Sequence, residues 1–335
     1  MPVQRRHFIQ TLGSTICGTA ALGAFAPLEA GAQQALEQVK IMYGFPAGSA
    51  GDSVARRVAE KLGGTAYSRN AGYVENRPGA GGRIAVETLK HSAADGSVLA
   101  LAPVSAFSVY PHIYPRLGYK AEDAAPVSMG AVMLHGLAVG PAVPAEVRTL
   151  KDFLAWARAN PEKASYGTPG SGSMPHLLGA LLGLRAGVPL NHVPYRGTVP
   201  SITDLVGGQV AAAVNPSGDY LQYLKAGRVR VLALSGRKRS PYLPDVPTFA
   251  ELGYPDVTSE EWFGFYAPAR VPSAVLAHAN AAITAALKDR SVIDSLALVG
   301  LVARGSTPQE MAADQKAEFE RWGPLVRQIG FTAES

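Results

Sequence analysis

The chain of 335 residues carries a single cysteine, Cys17. One thiol cannot close an intramolecular disulfide or build a cysteine-based metal site. Ser14-Thr15-Ile16 before it is not the Leu-small-small run of a lipid attachment site. Histidine is also sparse. His7, His91, His112, His135, His176, His192 and His278 include no i, i+4 pair and no His-Glu-x-x-His, so zinc is not expected. After position 32 no apolar run approaches the ~20 residues that span a bilayer, and no membrane insertion is expected of that part. Lysine and arginine, 31 against 26 acidic residues, form no basic stripe interleaved with aromatics, which argues against nucleic acid. No internal repeat suggests a solenoid.

The chain opens instead with an export pattern. Arg5-Arg6 precedes His7-Phe8-Ile9, a mildly apolar run follows from Thr11 to Pro27, and Ala30-Gly31-Ala32 offers a small-x-small cleavage site. Paired arginines with Phe two positions on resemble a twin-arginine leader, and an ordinary secretory leader is the alternative. Either route makes the mature protein, from residue 33, periplasmic. Losing Arg5, Arg6 and Glu29 lowers the formal charge of +5 by one and leaves a weakly basic chain that an anion can approach.

The length calls for two domains. Val39 to Gly44 reads as a strand, and a helix follows from Asp52, with Val54, Val58 and Leu62 four apart. Tyr73 to Asn76 and Val98 to Val104 continue as strands around a helix over Ile84 to Lys90. The alternation restarts with a helix over Leu150 to Ala159, a strand at Ala164 to Gly167, and a helix with Leu177, Leu178, Leu181 and Leu182 on one face. Val210 to Val214 and Val229 to Leu234 are further strands, and Thr307-Pro308-Gln309-Glu310 starts a capped helix. Such alternation predicts α/β domains with mostly parallel sheets. Gly130 to Val139 reads as the outward crossing between two lobes, and Trp262 to Tyr266 as the return.

Two loops share one design. Pro46-Ala47-Gly48-Ser49-Ala50-Gly51 and Thr168-Pro169-Gly170-Ser171-Gly172-Ser173 each follow a strand and open a helix. Small residues let a ligand near the backbone, and the free N–H groups and dipole of a helix start favour an anion. A glycine turn needed for geometry alone is the plainer reading of either loop by itself. Neither is a P-loop, since Gly172 is followed by Ser173-Met174 rather than Lys, and the second holds no G-x-S-x-G elbow. Arg77 to Gly82 reads as a turn that packs the fold. Asp52 is expected to cap the first helix or tie down its loop, and His176 to hold the second loop in shape. Tyr195, Arg196 and Asn215 end or follow strands on the carboxyl side, where open α/β sheets bind ligands. Arg196 suits a carboxylate fork or a salt bridge equally.

Several motifs occur together in order. They are Phe45-Pro46-x-Gly48 with Asp52, Val74-Glu75-Asn76-Arg77-Pro78-Gly79-Ala80-Gly81-Gly82, Tyr166-Gly167 with the loop ending at His176-Leu177, Val193-Pro194-Tyr195-Arg196-Gly197, Leu243 to Glu251, and Ala267-Pro268. Over nearly the whole mature chain these resemble the periplasmic receptors of tripartite tricarboxylate transporters, the Bug proteins. The resemblance implies a type II-like, two-lobed periplasmic-binding-protein fold joined by two crossing strands. Lobe 1 would comprise 33–135 and 262–335, and lobe 2 would comprise 136–261. It also implies a solute receptor, not an enzyme, that needs no cofactor or metal and hands a small carboxylate to a membrane permease. The expected ligand-binding residues are Phe45, Ala47, Gly48, Ser49, Asp52 and Ser105 from lobe 1. Lobe 2 would supply Thr168, Gly170, Ser171, Ser173, His176, Tyr195 and Asn215. Two departures stand out: Ala47 and Ser49 replace the usual Pro and Gly, and Val104-Ser105-Ala106-Phe107 lacks the usual polar-plus-His pattern. The latter makes that wall more apolar and favours an aromatic or small aliphatic carboxylate over citrate. An exported enzyme and a sensor subunit are the alternative functions.

Overall fold

A computed structural model describes residues 34–333. The export pattern over 1–32 lies outside the described residues. The chain begins β1 (Lys40–Tyr43), α1 (Ala50–Glu60), β2 (Tyr73–Asn76), α2 (Arg83–Lys90), β3 (Val98–Pro103), α3 (Ser105–Ser108), α4 (Tyr110–Ile113) and β4 (Ala124–Met133). After Leu134 come β5 (His135–Val139), α5 (Leu150–Ala159), β6 (Ser165–Thr168), α6 (Met174–Ala186), β7 (Asn191–Pro194), α7 (Thr198–Val206), β8 (Ala212–Pro216), α8 (Leu221–Lys225) and β9 (Arg230–Leu234). The chain ends with β10 (Glu261–Pro268), α9 (Ser273–Ala286), α10 (Arg290–Ala297), β11 (Val302–Ala303) and α11 (Pro308–Ile329).

The strands form two sheets, ordered β11-β4-β10-β3-β1-β2 and β7-β6-β8-β5-β9. Both are mixed rather than mostly parallel. Parallel pairing is confined to β1 with β2 and β3, and to β6 with β7 and β8. The reason lies in where the chain enters each sheet. In β10, Phe263 pairs with Pro103 at the carboxyl end of β3; in β5, His135 pairs with Pro216 at the carboxyl end of β8. A strand entering at that edge must run against its neighbours. Each incoming strand then inserts between two others, β10 between β3 and β4, and β5 between β8 and β9. Strand β10 is buried at every residue, as befits a central strand covered on both faces.

Sequence-local signals agree with their elements. Val54, Ala55 and Val58 are buried along α1. Thr149 and Thr307 each cap a helix and receive a reciprocal bond, with Asp152 and Glu310 three residues on. The strand read over Val210 to Val214 runs instead from Ala212 to Pro216, so Asn215 lies within it. The motif at Leu243 to Glu251 zips onto β9: Leu234 N–H donates to Pro247 O, and Phe249 N–H to Leu234 O.

Three apolar clusters hold these layers. One, with Val54, Phe265 and Ile283, lies between the first sheet and α1, α9 and α10. A smaller one packs Ile202 and Leu205 of α7 against Ala138 and Ala213. The largest runs through both sheets and includes Met42, Ala100, Leu137, Tyr166 and Leu177, with Met311, Trp322 and Val326 of α11. Helix α11 thereby packs against α3 and α4 as well as α6. Arg185 of α6 reaches Gln328 at 2.7 Å, and Ala333 N–H donates to Ile113 O at 2.9 Å.

Candidate functional site

The carboxyl ends of β1, β2 and β3 place Phe45 to Ser49, the Arg77 to Gly82 turn and Ser105 along one edge. The first loop is tied down by Asp52, one of whose oxygens accepts from Gly48 N–H at 2.8 Å and Arg56 Nε at 2.9 Å. The other accepts from Asn76 Nδ2 at 2.8 Å, and Asn76 also donates to Phe45 O. Burial of Asp52 works against its charge. The bonds from Arg56, Gly48 and Asn76 outweigh it and hold the carboxyl below its ordinary range. Asp52 therefore ties the loop rather than capping α1, whose N-cap is Ser49. The Gly48 amide, expected to face an anion, is spent on Asp52. Gly48 itself has φ +82 with open space around it, a left-handed turn that favours glycine. Among the described residues, the amides of Ala47 and Ala50 have no backbone or side-chain acceptor. The Arg77 to Gly82 turn packs on this loop, because a Cβ on Gly44 would lie 2.5 Å from Gly82 Cα.

The second loop leaves β6 and opens α6. Ser173 Oγ caps α6 and donates to Gly170 O at 2.7 Å, while Gly172 N–H donates to His176 Nδ1 at 3.1 Å. Accepting at Nδ1 makes His176 neutral with its proton on Nε2. Its ring stacks on His192, with centroids 3.9 Å apart. Burial, aided for His176 by the charge of His192, lowers both rings to about 4. His192 Nε2 bonds Thr168 Oγ1 at 2.7 Å, and Thr168 is wholly buried. Thr168, Ser173 and His176 thus hold the loop in shape, and Ser171 and Gly170 present its accessible surface. Tyr195 donates its hydroxyl to Asp204 Oδ2 at 2.8 Å, and Arg196 is exposed. Asn215 is buried and donates to Ser201 Oγ at 3.1 Å and Tyr220 OH at 3.2 Å; its Oδ1 has no partner.

Two residues not expected from the sequence link these edges. Glu261 opens β10 and is buried. Ser105 Oγ donates to its Oε1 at 2.5 Å, and His135 Nε2 meets its Oε2 at 2.8 Å. Ser105 follows β3 while His135 opens β5, so this trio stands where the carboxyl ends of both sheets meet. Its composition is that of a serine-hydrolase triad, but its order is not. A triad needs histidine between serine and carboxylate to take the hydroxyl proton, whereas here the carboxylate lies between them. The one available signal was a charge directly before the apolar run Trp262 to Tyr266, with nothing to name its partner. Among the described residues there is no group of three metal-ligating side chains and no helix long and apolar enough to cross a membrane. A recess of about 430 Å³ between Ala180 to Leu190 and Ile329 lies away from both loops and offers no charged side chain.

The family described as "Tripartite tricarboxylate transporter family receptor" matches residues 53–331. Protein BugT of Bordetella pertussis is 33% identical over 313 residues, covering 93% of this chain and 94% of BugT. Among solved structures, R. palustris Rpa4515 with adipate superimposes with a TM-score of 0.79 at 30% identity, over 88% of this chain and 98% of that one. MatC from Rhodopseudomonas palustris with bound malate gives 0.75 at 27% identity, over 87% and 99%.

Proposed function

The chain belongs to the tripartite tricarboxylate transporter receptor family, and from that premise we propose that it captures a small carboxylate between two lobes and delivers it to a membrane permease. The lobes are 33–135 with 262–335, and 136–261, and the protein works in the periplasm once its leader is removed. The observation that carries this reading is that two small-residue, helix-opening loops each stand at the carboxyl ends of strands, one in each sheet, and that the chain crosses between the sheets at those ends.

On the first lobe, the uncommitted amides of Ala47 and Ala50 and the positive end of α1 suit a carboxylate. Ser171, Gly170 and Tyr195 approach from the second, where Asn215 adds an amide oxygen. Contacts to both lobes form together only when these approach, so ligand shifts an open–closed equilibrium by its differential affinity for the closed form. The departure from the family pattern at Val104-Ser105-Ala106-Phe107 favours an aromatic or small aliphatic acid over citrate. The relatives described with adipate and malate support a carboxylate ligand in general.

A thermal-shift series with monocarboxylates, dicarboxylates, citrate, amino acids and sugars tests this. A ligand at 100 times its Kd adds about 2.7 kcal/mol to stability, which raises Tm by several degrees. A rise confined to carboxylates supports the reading, and no shift with any of them rejects it. Loss of tracer uptake on deleting the gene tests the permease step.

A further inference from the structure

We propose that Glu261 sets the charge pattern of the ligand: the receptor selects a solute with a carboxylate at one end and an ammonium or other hydrogen-bond donor at the other, and rejects a second carboxylate there. This rests on the carboxylate-receptor reading above and names the ligand class more narrowly.

The argument starts from where donors and acceptors stand. The first loop offers backbone donors at the start of α1. The crossing strands and the second sheet offer acceptors. Glu261 is 5% exposed and His135 1% exposed, so both are buried where the crossing strands join the two sheets rather than displayed on a surface. With Ser105 and His135 each giving Glu261 one hydrogen bond, its carboxylate keeps capacity to accept more. His135 spends Nε2 on that carboxylate, and its Nδ1 is buried without a partner. Asn215 Oδ1, the other unpartnered buried atom among the described residues, is an acceptor on the opposite face of the second sheet from His135. Both lie at the carboxyl end of the second sheet, where Gly136 pairs with Asn215.

Charge points the same way. Asp219, half-buried just after β8, has its carboxyl raised by burial, against a hydrogen bond from Thr198 and the charge of His135. No lysine or arginine pairs with Glu261 or Asp219 among the described residues. The charge of Glu261 also reaches the first-sheet loops. Burial pushes the hydroxyls of Tyr43 and Tyr110 well above their usual range, and Glu261 adds to both. Tyr110 in turn donates to Gly81 O. A second ligand carboxylate would approach Glu261 and Asp219 with no lysine or arginine beside them, whereas a donor would satisfy their oxygens.

Calorimetry with the purified protein, using pairs matched in length, tests the proposal. The pairs are 6-aminohexanoate against adipate and 4-aminobutanoate against succinate, with hexanoate as a one-ended control. In wild type the amino member is expected to bind at least about tenfold more tightly than its dicarboxylate. Glu261→Gln keeps the shape and an acceptor but removes the charge, and should reduce that preference by about tenfold. Asp219→Asn, at a less buried position, should reduce it severalfold and covers the case that Glu261→Gln does not fold. A dicarboxylate that binds wild type as well as its amino partner, or a preference unchanged in the folded variants, overturns the inference while leaving a carboxylate receptor. Binding of none of these acids overturns the receptor reading and this one with it.

Discussion

Gly218 and Gly300 meet backbone to backbone. A Cβ on Gly300 would lie 2.4 Å from Gly218 Cα, and one on Gly218 would lie 2.2 Å from Val299 O. Gly218 follows β8 of the second sheet, whereas Gly300 joins α10 to β11 of the first. Tyr242 OH donates to Leu301 O beside them at 2.9 Å. This approach admits no side chain. Gly218→Ala is expected to hold the two lobes apart and weaken ligand binding by roughly tenfold. Calorimetry would measure the loss, and small-angle scattering should show a larger radius of gyration with ligand present. Unchanged affinity and radius would mean that the contact plays no part in closure.

Asp52→Asn tests the first loop. The change removes the ion pair with Arg56 and weakens the bond from Gly48 N–H, at a site where the side chain is 4% exposed. A stability loss of about 1.5–3 kcal/mol is expected in urea unfolding, together with weaker ligand binding because the loop loosens. The carboxyl is held below its ordinary value of 3.8 in the folded protein. Its contribution is therefore present above that pH and lost as pH falls further.

The stacked histidines act in a higher window. Both rings have a folded-state value of about 4 against an ordinary 6.5. The unfolded chain takes up protons first as pH drops, so stability is full above about 6.5 and declines toward 4. Each ring contributes a slope of at most about 1.4 kcal/mol per pH unit. His192→Gln can keep a bond to Thr168 and should remove one ring's share. Urea midpoints at pH 7 and pH 4.5 measure this, and an equal drop in variant and wild type would refute it.

Ser171 and Ser173 lie in one loop but should separate cleanly. Ser173 caps α6, so Ser173→Ala is expected to cost about 1 kcal/mol. Ser171 is exposed, so Ser171→Ala should change stability by less than about 0.5 kcal/mol and be felt only in ligand affinity. Titrations of both variants with the best carboxylate, beside their urea curves, decide the assignment.

What the sequence determined by itself is local. The caps at Thr149 and Thr307 rest on bonds three residues long, and the two loops rest on glycine and serine beside a strand end. Burial of Val54 and Val58 follows from a four-residue spacing on α1. The tie from Asp52 to Gly48 also spans only four residues, yet the spacing left open whether Asp52 capped the helix or held the loop. Tertiary structure settled that through Arg56 and Asn76. It alone decided that β10 inserts between β3 and β4, because pairing depends on which edge the returning chain reaches and not on its own apolar pattern. It alone brought Ser105 and His135 to Glu261, across 156 and 126 residues. Hydrogen bonds at such separations leave no periodicity in the chain. They exist because burying a carboxylate between two sheets is tolerable only where donors from both converge.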